Sequence, residues 1–227
     1  MPQHTLKQFA NFTSTSAGLE RVLRLVQALV QVAAEVTVHN VIAARCLVAK
    51  SQLGLARRYF RFFNFITCFD RVYSILGADF SRGMIPTTLD LARFTALGLY
   101  ILLEDLTILH ALNVWPVPWN SRALVEANRF WFYALGLSVF GAVYELVFHC
   151  LWAPKASQNG KREKKRSTGK PIASATPLMK RIAVDGCDLL IPGAVLGWTP
   201  FGDFGVGLAM LVSTGVVSRD IWVGVNG

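Results

Sequence analysis

From Ala17 to Val38, the polar residues Glu20, Arg24, Gln27, Gln31 and Glu35 recur every three or four positions, with Leu19, Val22, Leu23, Val26, Leu29, Val30, Ala33 and Val36 between them. This helical period predicts an amphipathic helix with Ser16 as N-cap and Glu20 near the positive end of the dipole. Its apolar side is broad, so it must pack against protein or lipid. The stretch from Lys50 to Tyr73 repeats the period in a different composition. At about 100° per residue, Lys50, Arg57, Arg61, Asn64, Cys68 and Arg71 share one side with Arg58 at its margin, while Leu55, Tyr59, Phe62, Phe63, Ile66, Phe69 and Tyr73 share the other. One helix over 50–73 is predicted. It is expected to lie in a membrane interface, aromatics in the acyl boundary and arginines at the phosphates, although Phe60 and Phe65 fall toward the polar margins and Asp70 on the apolar side. The alternative is a helix that buries its aromatics in a soluble core.

Membrane spans need ~20 predominantly apolar residues, and every candidate here is interrupted. The longest runs without Asp, Glu, Lys or Arg are 106–121, 130–144, 189–202 and 204–218. Segment 89–112 carries Glu104 and Asp105 at its middle, and 130–152 carries Glu145 near its end. In 182–225 the break Pro200-Phe201-Gly202-Asp203-Phe204-Gly205 predicts two short helices, a C-terminal membrane-embedded hairpin. Gly193 and Gly197, then Gly205, Ala209 and Ser213, stand at small-x-x-x-small spacing, which lets helix backbones approach closely in lipid and suggests self-association. Trp115, Trp119, Trp131, Trp152, Trp198 and Trp222 fall near segment ends, as interfacial tryptophans do.

Composition sharpens this picture. The 227 residues are 53% hydrophobic and only 16% charged, yet the formal charge is +9. A soluble domain averages about 25% charged residues, and disorder is excluded by the apolar content, so a membrane protein is the leading class, with a greasy helical soluble protein behind it. The charge is local. Residues 153–181 hold nine Lys and Arg against Glu163 alone, a charge of +8 that leaves +1 for everything else. With its Pro, Gly, Ser and Thr, this stretch is expected to be a basic flexible loop: a solvated tether, an anionic-lipid contact or a receptor-read signal. Nucleic acid is not an expected partner. The expected organisation is an N-terminal amphipathic region over 1–80, an apolar helical pair over 81–152, the basic loop over 153–181 and the embedded segment over 182–227. If the basic loop faces the cytosol and the spans are even in number, both ends are cytosolic.

Chemistry is sparse. Met1 to Ser16 lacks the charged start and apolar run of a secretory signal, and the last three residues are not a peroxisomal Ser-Lys-Leu-type tripeptide. Cys46, Cys68, Cys150 and Cys187 lie far apart, which suggests neither zinc nor a disulfide framework. No phosphate loop, nucleophile elbow or His-Glu-x-x-His occurs, so no catalytic residue, metal or cofactor is expected. Glu104, Asp105 and His110 sit in an apolar segment, where ionisable groups are functional candidates; pairing of the acids with Arg93 or Arg122 is the expected role. Asp185 and Asp188 share one helix face as a polar edge.

The order of these blocks resembles the peroxin-11 family of peroxisomal membrane proteins, fungal members in particular. Gly18-Leu19-Glu20-Arg21-Val22-Leu23-Arg24-Leu25-Val26-Gln27 resembles its first Leu-rich helix, with Glu20-Arg21 where an Asp-Lys pair is expected. Ser51 to Phe63 is similar to its Arg-rich amphipathic motif. Tyr100 to Val114, Trp119 to Trp131, and Asp188-Leu189-Leu190-Ile191-Pro192 with 205–218 resemble its later blocks. The resemblance implies an all-α fold and a non-enzymatic role in peroxisome elongation, proliferation and fission. An amphipathic helix inserts into one leaflet of an anionic phospholipid membrane and curves it, and homo-oligomers concentrate the effect. The implied partners are a dynamin-related fission GTPase and the import receptor for peroxisomal membrane proteins. A channel or metabolite carrier lined by Glu104, Asp105, Glu145 and Asp188 is the other class left open. A membrane-embedded enzyme would need a clustered nucleophile or metal site that the sequence does not offer.

Overall fold

The side chain of Thr15 accepts a hydrogen bond from the Gly18 amide at 3.0 Å and starts a helix that runs from Ser16 to Val36. The N-cap is therefore Thr15, one residue before the expected Ser16, because Thr15 is the residue with the extended backbone a cap requires. In the computed structural model, which describes residues 2–77, 83–152 and 175–227, this helix is the second of a chain of nine among the described residues. They are α1 (Pro2–Ser14), α2 (Ser16–Val36), α3 (Asn40–Phe60), α4 (Asn64–Leu76), α5 (Met84–Leu106), α6 (Ile108–Ala111), α7 (Asn120–Trp152), α8 (Ala175–Val195) and α9 (Asp203–Asn226). The described chain is all-α, as the periodicity predicts. The greater part of the basic stretch, 153–174, lies outside the described residues, but its last seven residues are the first two turns of α8. There Lys180 pairs with Asp220, and Arg181 donates to Ser138 Oγ at 2.8 Å.

The expected single helix over 50–73 is two. α3 ends at Phe60 and α4 begins at Asn64, with Phe63 in the left-handed region at φ 64°. No glycine or proline marks the break. Tertiary contacts impose it: Asp105 accepts the Phe63 amide at 3.0 Å, while Arg58 and Arg61 both reach Glu104. A left-handed non-glycine residue costs roughly 1–2 kcal/mol, which these anchors must offset.

The helices pack as a circuit: α3 against α2, α2 against α9, α9 against α8, α8 against α7, α7 against α5, and α5 against α4. Because α4 follows α3 after a three-residue turn, the circuit closes, and the two ends of the chain meet where α1 and α2 touch α9. α8 and α9 form the expected C-terminal hairpin. Its turn is a Schellman motif: the Trp198 amide returns to Gly193 O at 2.8 Å and the Gly197 amide to Ala194 O at 3.1 Å, with Gly197 at φ 70°. Gly197 therefore stops α8 rather than sharing a helix face with Gly193, and Gly193 is where Thr199 and Phe132 approach. The small-residue row of α9 also serves the chain itself. Ala209 and Ser213 are buried, and at Gly207 an added Cβ would lie 2.7 Å from Val32 of α2. Gly205 lies against Phe201.

The bundle departs from a soluble domain in burying charged side chains beside a small apolar core while many large apolar side chains face outward. Buried Lys, Arg, Asp and Glu are ordinarily rare and large aliphatics fill cores. Here Glu20, Arg24 and Gln31 are buried, and the largest fully buried side chains are Thr107, Thr214, Pro192, Ser138 and Ser213. Leu29, Val48, Ile66, Phe140, Val212 and many like them face outward. Among the described residues, two helices, over Asn120–Phe148 and Asp203–Asn226, are long and apolar enough to cross a bilayer.

The junction of α1 and α2 tests the packing. A Cβ on Gly18 would stand 2.0 Å from the Phe12 carbonyl oxygen, a backbone atom that cannot rotate away. Gly18→Ala is expected to lower stability by about 1–3 kcal/mol by prising α1 from α2, read as a lower melting temperature of the detergent-solubilised protein.

Candidate membrane-binding site

Two of the sequence-predicted membrane-binding groups part company in the structure. The apolar group stays outside: Tyr59, Phe62, Phe63 and Ile66 are exposed, Leu55 and Phe69 half-buried. The Phe62 and Phe63 rings meet at 4.1 Å between centroids, tilted by 59°, at the turn that joins α3 to α4. Of the basic group, Arg71 is exposed, and its guanidinium lies 5.9 Å from the Phe94 ring. The others turn inward. The expectation that Arg57, Arg58 and Arg61 face lipid phosphates is corrected, because carboxylates of the neighbouring helices claim them.

Arg57 Nε meets Glu20 Oε1 at 2.8 Å, and its Nη1 donates to Gln27 Oε1 at 2.8 Å. Arg58 Nε lies 3.3 Å from Glu104 Oε1 and its Nη2 donates to Thr107 at 3.1 Å. Arg61 contacts Glu104 Oε2 at 3.0 Å and the Tyr100 hydroxyl at 3.0 Å, and Tyr100 stacks flat on Trp131 with centroids 5.0 Å apart. Lys50 pairs with Asp203 at 2.8 Å. Arg24 pairs with Asp188 and donates to Ser213 at 3.1 Å. Glu104 thus pairs with Arg58 and Arg61, not with Arg93 or Arg122, and Asp188 is an internal ligand of α2 rather than a polar edge. His110 accepts the Val117 amide through Nδ1 at 2.9 Å.

Electrostatics follow from the packing, on helices outside the two apolar spans. Burial alone would raise the Glu20 carboxyl, but the guanidiniums of Arg57 and Arg21 outweigh it and hold the group below its ordinary range. Burial, opposed by Glu20 and aided by repulsion from Arg24 and Arg61, pushes Arg57 down to about 10. Asp105 is raised by burial, against the Phe63 amide that favours its charged form.

These groups surround a cavity of about 660 Å³ whose lining draws on α2, α3, α5, α7, α8 and α9, with Gln27, Gln31, Lys50, Arg57, Glu104 and Asp203 among its polar walls. Among the described residues, no group of three His, Cys, Asp or Glu is placed to hold a metal ion. Sequence periodicity found which residues share a face; it missed that the polar face meets Glu20 and Glu104. Trp131 fills the core, whereas Trp115 and Trp119 are exposed just before α7, where an interfacial anchor belongs.

An ionic interior inside an apolar exterior, with two helices of spanning length, defines a helical membrane protein. The family model of peroxisomal biogenesis factor 11 (PEX11) matches residues 6–222, and the chain belongs to that family of peroxisomal membrane proteins, which acts in peroxisome biogenesis and proliferation. No curated protein and no solved structure shows a significant match to the chain.

Two outcomes check the ionic interior. Glu104→Gln leaves Arg58 and Arg61 without a carboxylate in a half-buried site and is expected to cost about 3 kcal/mol, whereas Arg71→Gln at the surface stays within about 0.5 kcal/mol; unfolding in mild detergent reads both. Because the Glu20 carboxyl sits below its free value of 4.5, its contribution is intact above that value and is lost as pH falls through the lower folded value. Glu20→Gln, less stable at neutral pH, is therefore expected to lose less melting temperature than the parent between about pH 5 and about pH 3.

Proposed function

We propose that the chain promotes peroxisome elongation and fission, without enzymatic chemistry, by seating the outer face of α3 and α4 in one leaflet of an anionic phospholipid membrane. The observation that carries this reading is the continuous exposed apolar strip Tyr59, Phe62, Phe63 and Ile66 across the α3–α4 turn. Full burial of one such side chain is worth about 1.5–3 kcal/mol, so four together favour insertion, and material inserted into one leaflet enlarges its area and bends the bilayer. In this reading Arg57, Arg58 and Arg61 do not bind phosphates. They fix the bend between α3 and α4 through Glu20 and Glu104, and Arg71 with its neighbours meets the headgroups.

Self-association concentrates the effect. Since Gly193, Ala209 and Ser213 pack within the chain, the outer faces of α7 and α9, where Phe140 and Val212 are exposed, are the surfaces left to a second copy. A dynamin-related GTPase would act on the neck so formed, and the import receptor for peroxisomal membrane proteins would deliver the chain. The combined variant Phe62→Glu, Phe63→Glu, Ile66→Glu tests the reading in full-length protein reconstituted into anionic liposomes. Tubules are expected from the parent and not from the variant, with both proteins equally folded. Equal tubulation by the two would overturn it.

The 660 Å³ polar cavity favours a second reading, a channel or carrier. Of the four acids expected to line it, Glu104 borders this cavity and Asp188 the neighbouring one. Conductance across a planar bilayer that is lost in Lys50→Gln, with liposome tubulation intact, is the result that would favour it.

A further inference from the structure

A smaller cavity of about 440 Å³ lies where α2, the α3–α4 turn, α5, α7 and α8 converge, and four arginines line it: Arg21, Arg24, Arg57 and Arg61. The facing acids are Glu20 and Asp188. Four cations against two carboxylates leave an excess of two positive charges. Adding the adjacent Arg58 and Glu104, which neutralise each other, does not change that balance. The four guanidiniums are close enough to repel: Arg57 is opposed by Arg24 and Arg61, and Arg21 by Arg24 and Arg61. An uncompensated charge in a poorly solvated site is costly, so the fold has accepted a penalty that a bound anion would remove.

The hydrogen bonds agree with the charges. The Nε–H groups of Arg21, Arg24 and Arg61 are buried without a hydrogen bond; that of Arg21 has only an ion-pair contact with Glu20 at 3.4 Å, and the Arg24 side chain is only 6% exposed. Guanidinium groups are donors only, so no rearrangement of the arginines among themselves satisfies these three. Two of them are also engaged elsewhere: Arg24 through Nη2 by Asp188 and Ser213, and Arg61 through Nη1 and Nη2 by Tyr100 and Glu104. The unused Nε–H groups of Arg24 and Arg61 thus belong to side chains whose other nitrogens are already held in place, which is a preorganised arrangement.

We propose that this cavity binds a phosphate monoester or inorganic phosphate. Such a group carries about −1.5 to −2 charge near neutral pH and three strong acceptor oxygens, matching the excess charge and supplying acceptors for the Nε–H groups that lack a hydrogen bond, and guanidinium is the side chain best shaped for it. A phosphodiester carries a single charge and fits less well. The site is separate from the outer face of α3 and α4 and does not depend on membrane curvature. The ligand is either a soluble phosphate or the headgroup of a monoester lipid.

The test uses the full chain in mild detergent, with melting temperature measured against inorganic phosphate at ionic strength matched by chloride, and in lipid mixtures containing phosphatidic acid or phosphatidylglycerol. A rise with phosphate identifies a soluble ligand, and a rise with phosphatidic acid a headgroup; either supports the site. Arg21→Gln removes one cation whose only pair is the adjacent Glu20, which keeps Arg57. It is expected to fold and unfold cooperatively in chloride, and, measured against its own chloride value, to bind phosphate or phosphatidic acid about tenfold more weakly than the parent. No rise with any monoester, an equal rise with phosphatidylglycerol, or an undiminished response in Arg21→Gln would each overturn the proposal.

Discussion

The pairing of arginines with carboxylates across helices is the interaction on which the rest of this structure depends. Glu20 holds Arg57, Glu104 holds Arg58 and Arg61, and Asp188 holds Arg24. These contacts tie α2 to α3, the α3–α4 turn to α5, and, across the inside of the circuit, α2 to α8. Ions away from water are tolerated only when paired and hydrogen-bonded. Elsewhere the interior is thin: Ala28, Val206 and Met210 form one apolar cluster, and Cys68, Tyr100, Ile101 and Ala127 another. A core so poor in large aliphatics leaves its hydrophobic residues to the outside, and the natural solvent for that outside is lipid.

From this constraint the shape of the outer surface follows. Drawing Arg58 and Arg61 to one carboxylate, while Asp105 takes the Phe63 amide, bends the amphipathic segment into α3 and α4. The bend turns Phe62 and Phe63 outward beside Tyr59 and Ile66. Backbone strain at Phe63 is thereby exchanged for a projecting aromatic strip. Membership in the peroxisomal biogenesis factor 11 family gives that strip a membrane to meet, and its role in curving that membrane is the proposal developed above.

Much of the secondary structure was legible in the sequence. The three-to-four residue recurrence of Glu20, Arg24, Gln27, Gln31 and Glu35 places α2 within a residue or two of its observed bounds, and the Pro200–Gly205 break divides α8 from α9. The turn at 61–63 was not legible, since its cause is Glu104 and Asp105, some forty residues away, and not a local breaker. The direction of the polar faces was not legible either. Periodicity states which residues share a face of a helix but not which medium that face meets, and an amphipathic helix in lipid has the same period as one in water. The spacing of Gly193 and Gly197 misled for a similar reason: a helix-packing pair and a helix-ending glycine look alike until the positive φ of Gly197 is seen.

The central claim is that the bundle is ionic within and lipid-facing without. Single spin labels at Leu29, Phe140 and Val212, which are 51%, 60% and 57% exposed, in the full chain reconstituted in bilayers, test it most directly through their accessibility to oxygen and to a water-soluble nickel chelate. High oxygen and low nickel accessibility at all three positions is the expected result. High nickel accessibility at these positions would mean that water, not lipid, covers the outer faces, and would contradict the account.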